Sequence, residues 1–96
     1  MKIIIDKKTY EQTKFKGRIS RNLLEIQQHL EEVGEDFKAS DLDLLCEFIA
    51  NVFDNKFTTD DLLDEFEFAD IILTFRKIAD EINKKTSKKF EQLAKK

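Results

Sequence analysis

Residues 48–75, FIANVFDNKFTTDDLLDEFEFADIILTF, are the most informative part of the chain. Six of the nine phenylalanines of the chain lie in this stretch, and acidic residues stand between them. Apolar residues recur at helical spacing on both sides of the polar step Asp54-Asn55-Lys56. No catalytic grouping accompanies them. The stretch therefore predicts packed helices and binding surfaces rather than an active site.

The composition is that of one small, heavily charged globular domain. The chain has 96 residues, of which 41% are hydrophobic and 39% are charged. It contains no proline and only two glycines, which favours helix. We expect no membrane span, because no run of about 18 apolar residues is present, and no signal peptide, because the opening apolar segment is too short. The single cysteine, Cys46, excludes an internal disulfide and suits a reducing cytoplasm.

The net charge of −3 conceals a strong segregation of charge along the chain. Residues 1–21 carry seven basic and two acidic side chains, residues 22–70 carry two basic and fifteen acidic ones, and residues 71–96 carry eight basic and three acidic ones. The ends are therefore basic and the middle is acidic. Such blocks either pair with each other, within one molecule or head to tail between molecules, or are ordinary solvated faces.

The apolar pattern predicts an α+β, mostly α fold, with an N-terminal β-hairpin followed by about four helices. We expect the hairpin at residues 2–15, because residues 3–5 are three isoleucines and residues 6–8 are polar and fit a turn. A hairpin alone is marginally stable in water, so it must lie on a helix or join strands of another copy.

The same pattern predicts helices at about residues 18–33, 41–53, 60–66 and 69–84. We expect residues 1–84 to form a single small domain, and residues 85–96 to form a basic C-terminal tail that is either helical or frayed. Gly34 is a natural stop for the first helix. Ser40, with Asp43 three residues later, is predicted to cap the second helix, and Thr58 or Thr59 the third.

The side chains that usually carry chemistry are isolated in this sequence. His29 is the only histidine and lies among polar residues, so we expect a surface histidine rather than a metal ligand. Cys46 stands between Asp43 and Glu47, which raise rather than lower a thiol pKa, and it is expected to be a packing residue. The sequence has no calcium-loop spacing and no glycine-rich phosphate loop. We therefore predict no catalytic residues, no metal, no cofactor and no enzyme.

Two groups of apolar residues are candidates for binding other proteins. Five residues cluster around the expected helix break and form either part of the core or an exposed apolar groove. These candidate partner-binding residues are Phe57, Leu62, Leu63, Phe66 and Phe68. The hairpin has open edges, and its candidate self-association residues are Ile3, Ile5 and Tyr10.

Two basic clusters raise the alternative of nucleic-acid binding. They are Lys14, Lys16, Arg18 and Arg21 before and within the first helix, and Lys84, Lys85, Lys88 and Lys89 near the C-terminus. Non-specific binding needs only such phosphate contacts. The acidic middle would repel the nucleic-acid backbone, the isoelectric point is about 5.2, and no recognition motif is visible. These features argue against a nucleic-acid partner.

Three segments resemble the small tail assembly chaperones of long-tailed bacteriophages and Gram-positive prophages. They are the opening MKIIIDKKTYE, the helical LLEIQQHLEE and the block LDLLCEFIANVFDNKFTTDDLLDEF, in which residues 52–58 followed by Asp60 and Asp61 are the most family-like part. The resemblance extends to about Ile82. One departure is Lys7, where the family often has glycine in the hairpin turn, so the turn type is open.

The resemblance implies a non-enzymatic role in tail morphogenesis. Such chaperones coat the long tape measure protein, keep it soluble until tail tube subunits polymerise around it, and are absent from the mature virion. This implies the host cytoplasm as location and the tape measure and tail tube proteins as partners. From the hairpin edge and the charge blocks we expect self-association into a homo-oligomer along the substrate. The family often makes a longer product by ribosomal frameshifting. The lysine pairs 84–85, 88–89 and 95–96 fit slippery A-rich codons.

Two other functions stay open at this point. A virion structural adaptor of the head–tail or tail region is the first alternative, and it would remain in the finished particle. A small nucleic-acid-binding regulator is the second, and it would show salt-dependent binding to DNA.

Overall fold

The computed structural model describes residues 1–94 and places a two-stranded hairpin against a bundle of helices. The elements are β1 (Lys2–Ile5), β2 (Lys8–Glu11), α1 (Gly17–Val33), α2 (Ala39–Val52), α3 (Thr59–Glu65) and α4 (Phe68–Ala94). This order confirms the predicted α+β, mostly α fold with an N-terminal hairpin and four helices. Among the helices of residues 1–94, none combines the length and apolar character that crossing a bilayer requires.

The hairpin is held by a tight turn of two non-glycine residues. Strands β1 and β2 are antiparallel, with Ile3 opposite Tyr10 and Ile5 opposite Lys8. The two turn residues, Asp6 and Lys7, have φ angles of 49° and 65°. Positive φ at both central positions is the signature of a type I′ turn, whose twist matches that of the strands. Lysine thus occupies a left-handed position that glycine adopts at lower cost.

Helix α2 is the centre of the bundle and contacts α1, α3 and α4. Its buried residues include Leu45, Phe48, Ile49 and Val52, and the ring of Phe48 meets that of Phe75 on α4 edge to face at 5.6 Å. Aromatic pairs prefer this arrangement, so the contact helps to hold α2 against α4. The remaining core is made of Ile3, Ile5, Leu23, Ile26, Cys46, Ala50, Phe53, Phe57, Leu62, Ile71, Ile78, Ala79 and Ile82.

The helix ends follow local capping rules, with one correction to the sequence prediction. Gly34 has φ of 52° and ends α1, as predicted. Helix α2, however, begins at Ala39, and Asp41 rather than the Ser40–Asp43 pair caps it. The Asp41 carboxylate accepts a hydrogen bond of 2.9 Å from the backbone N–H of Lys38. Lys38 is thus the N-cap residue, and the helix begins two residues earlier than a cap at Ser40 predicts. A carboxylate accepts this bond more strongly than a serine hydroxyl does.

Helix α3 has the predicted cap at Thr58. The Thr58 hydroxyl accepts a hydrogen bond of 3.2 Å from the N–H of Asp61, whose carboxylate accepts one of 2.9 Å from the N–H of Thr58. This reciprocal pair satisfies two backbone donors at the start of a helix of only seven residues.

Helix α4 extends beyond the packed body of the protein. Its buried residues end at Ile82, but the helix continues without interruption to Ala94. The predicted division between a domain of residues 1–84 and a tail of residues 85–96 stays a prediction, and residues 95–96 lie outside the described residues. The helix gives the molecule its longest dimension, 48 Å against 34 and 20 Å.

Candidate partner-binding surface

The structure divides the five candidate partner-binding residues between the core and the surface. Phe57 is buried, and Leu62 has no exposed area at all. Leu63 is 37% exposed, Phe66 is half-buried and Phe68 is 54% exposed. The adjacent leucines separate because successive residues of a helix point about 100° apart. Phe57 and Leu62 are therefore unavailable to a partner in this conformation, and the candidate surface reduces to the other three.

Phe37 adds an aromatic ring that the sequence analysis did not select. It lies in the connection between α1 and α2, and its ring meets that of Phe68 edge to face at a centroid distance of 5.7 Å. The signal was present in the sequence, because Phe37 is the only apolar residue of the connecting stretch GEDFK. We define the Phe68 surface as Phe37, Leu63, Phe66 and Phe68.

The break between α3 and α4 positions this surface. Phe66 ends α3 in an extended conformation, with φ of −106° and ψ of 141°. The chain then turns into α4, where the Asp70 carboxylate accepts a hydrogen bond of 3.2 Å from the N–H of Glu67. This bond satisfies one of the free donors at the start of α4. The result is two aromatic residues, Phe66 and Phe68, held at a corner rather than on one continuous helix face.

Acidic side chains flank the Phe68 surface along the chain. Asp64, Glu65, Glu67 and Asp70 are all exposed, and no basic residue lies between Lys56 and Arg76. Exposed like charges separated by less than a Debye length reinforce one another, so this corner carries a locally negative potential. The surface thus combines an apolar centre with a charged border, the arrangement found in protein-interaction sites.

The candidate self-association residues face the body of the protein. The side chains of Ile3 and Ile5 are buried, and Tyr10 is half-buried with its ring 5.0 Å from that of Phe57. They attach the hairpin to the helices, which meets the need of a two-stranded sheet for a covering layer. The large apolar side chain that the hairpin leaves exposed is Ile4, beside exposed polar residues of both strands.

The side chains of His29 and Cys46, the residue types that most often carry chemistry, are engaged in structural contacts. His29 is half-buried rather than a free surface residue, and its Nε2 lies 2.6 Å from Oδ1 of Asp41. The hydrogen bonds from His29 and from the N–H of Lys38 lower the pKa of Asp41. Burial, with the nearby charge of Asp43, raises the pKa of the Cys46 thiol to about 11. In residues 1–94 there is no group of three or more His, Cys, Asp or Glu side chains that would hold a metal ion.

Comparison with known proteins identifies the family of this chain. No curated protein and no solved structure matches the chain significantly. The family model described as phage tail chaperone protein matches residues 2–96, and this confirms the resemblance drawn from the opening hairpin, the first helix and the residue 52–58 step. The chain therefore belongs to the phage tail chaperone protein family.

Proposed function

We propose that this protein binds the tape measure protein through the Phe68 surface, keeps it soluble, and helps recruit tail tube subunits during tail assembly. The observation that supports this best is the exposed ring of Phe68, beside the half-buried Phe37 and Phe66, in a small chain that buries most of its other phenylalanines. A chaperone for apolar helices needs such an accessible surface together with a charged exterior. A chaperone role is a binding role, and the proposal assigns no catalytic residue.

The size of the surface suits reversible binding. Full burial of a phenylalanine or leucine side chain contributes about 1.5–3 kcal/mol. Because Phe68 and Leu63 are already partly covered, a partner gains only about half of that from each. The four residues together then supply roughly 4 kcal/mol before the costs of association, which corresponds to a weak complex for one copy.

Weak single contacts favour many copies on one long partner. Each copy covers a short segment of a helix, and the total coverage comes from repetition along the tape measure protein. Tail tube subunits that bind the tape measure protein more strongly would then displace the copies one at a time. This accounts for a chaperone that acts in the host cytoplasm and is absent from the mature virion.

Co-expression with the tape measure protein from the same genome tests this proposal. We expect a soluble complex containing several copies of this chain, with its stoichiometry read from light scattering. Phe68→Ser and Leu63→Ser should leave the tape measure protein in the pellet. Leu24→Ser is the matched control, since Leu24 is 67% exposed on α1, outside the Phe68 surface. Equal solubilisation by all variants would remove the Phe68 surface from the proposal.

Two further observations would redirect the proposal. Mass spectrometry of purified particles that finds this chain in the virion would favour the structural adaptor. Solubilisation only by a longer protein that begins with this chain would assign the function to a frameshifted product. In that case the short form would require its longer partner for activity.

A further inference from the structure

We propose that the projecting end of α4, residues 83–94, in one copy docks on the Phe68 surface of a second copy. This inference rests on the proposed function, because it uses the same surface. The helix end of a second copy would compete with the tape measure protein for the Phe68 surface. The interface would join copies head to tail through two different surfaces rather than through a symmetric contact.

The projecting end of α4 is an amphipathic helix segment that touches the body of the molecule near Phe15 but leaves its apolar stripe exposed. Phe90 is 66% exposed and Leu93 is 61% exposed, and they continue the apolar stripe that Phe75 and Ile82 bury lower on the helix. Within residues 1–94, every residue after Ile82 on this helix is exposed. An apolar stripe that continues past the end of its packing partner is a helix face suited to a groove or corner elsewhere.

The charge of this helix end complements that of the Phe68 surface. Lys84, Lys85, Lys88 and Lys89 accompany the apolar stripe, against one acid, Glu91. The Lys85 ammonium lies 5.1 Å from the centre of the Phe15 ring and also donates to the carbonyl of Thr13, so the base of the projection is anchored to the body. A basic apolar helix and an acidic apolar corner attract each other and fix a single orientation of docking.

The two surfaces cannot meet within one molecule. Phe68 begins α4 and Leu93 stands near its end, and the intervening helix contains no glycine or proline at which it could fold back. At a rise of 1.5 Å per residue the two residues are about 38 Å apart along the axis. Complementary surfaces held at opposite ends of a rigid helix can pair only between copies, in a contact that propagates or closes into a ring.

Charge-swap variants test this interface with the chain alone, without a tape measure protein. Lys88→Glu with Lys89→Glu reverses the charge of these two positions on the helix end. Asp64→Lys with Glu65→Lys does the same at the border of the Phe68 surface, and all four residues are exposed. We expect the wild type to exceed the mass of one 11.3 kDa chain at high concentration and low salt. Each double variant should associate at least about tenfold more weakly. An equimolar mixture of the two should associate again, because each then offers the charge that the other lacks.

The apolar part of the interface has its own variant and control. Phe90→Ser with Leu93→Ser should weaken association by about thirtyfold, as expected for two central apolar anchors, whereas Leu24→Ser should leave it unchanged. Raising the salt to about 1 M, where the Debye length is about 3 Å, should also reduce the mass.

A wild type that stays at the mass of one chain under all these conditions would overturn the interface. So would variants that associate as the wild type does, or a mixture that fails to associate. Tape measure binding is measured separately by co-expression, so it can survive the loss of self-association. If both tape measure binding and self-association are observed, added tape measure protein should dissociate the copies that occupy each other's Phe68 surface.

Discussion

The neighbouring leucines of α3 test whether the buried one supports the fold and the exposed one supports partner binding. Leu62 has no exposed area, whereas Leu63 is 37% exposed on the adjacent helix position. Replacing Leu62 by alanine removes its transfer free energy and leaves a cavity, which costs about 3–5 kcal/mol. Replacing Leu63 removes a partly exposed side chain and leaves no enclosed cavity, so we expect about 1 kcal/mol.

Urea denaturation followed by circular dichroism measures both costs under one condition. A domain of this size has a stability of about 5–15 kcal/mol, so Leu62→Ala should remove a large share of it. With a slope of about 1–3 kcal/mol per molar urea, the two midpoints should differ by about 1 M or more. Binding of the tape measure protein should instead be weakened more by Leu63→Ala than by Leu62→Ala, because Leu63 is the exposed leucine and its replacement leaves the fold in place.

Equal midpoints for Leu62→Ala and Leu63→Ala would refute this reasoning. They would mean that α3 is packed differently, and that the division of the apolar cluster into core and surface is wrong. A change in the slope as well as the midpoint would instead indicate an altered unfolded state and would call for a second pair of variants.

Three further predictions follow from single contacts. Lys7→Gly should stabilise the protein by up to about 1 kcal/mol in urea, because glycine relieves the left-handed strain of the turn; destabilisation would mean that the turn is not type I′. A double-mutant cycle of Phe37→Ala and Phe68→Ala should give a coupling of about 0.5–1.5 kcal/mol, and a coupling near zero would mean that the rings do not touch. The lowered pKa of Asp41 contributes stability that is present above its usual pKa of 3.8 and lost as the pH falls through the lowered value. His29→Ala should therefore move the midpoint of acid unfolding to higher pH. An unchanged midpoint would mean that His29 does not lower the pKa of Asp41.

The helical part of the fold was predictable because its signals are local. The apolar spacing of α1 and α2, the stop at Gly34 and the cap at Thr58 all depend on residues within a few positions of each other. The start of α2 was misplaced because Ser40 is a good N-cap residue by type, whereas the structure has Lys38 at that position. The Asp41 carboxylate meets both the Lys38 N–H and His29, and the contact with His29 joins two helices and is not readable from local sequence.

The candidate surface was less predictable because exposure is a property of the whole packing. Leu62 and Leu63 are the same residue type on the same short helix, and the packing of α2 and β1 against α3 decides which one is covered. Phe37 joins the surface through a contact with a residue 31 positions away. The burial of Ile3 and Ile5 likewise depends on the hairpin lying over the helices, with α3 near β1, rather than pairing with a further strand.

Hydroxyl-radical footprinting of this chain, free and bound to the tape measure protein, would show whether the Phe68 surface is where the tape measure protein binds. The method reports the solvent exposure of individual side chains, and the Phe68 surface supplies three phenylalanines and a leucine as probes. We expect oxidation of Phe68, Phe37 and Leu63 to fall on binding, while that of Leu24 stays unchanged. Protection confined to other residues, with Phe68 as reactive in the complex as in the free chain, would contradict it.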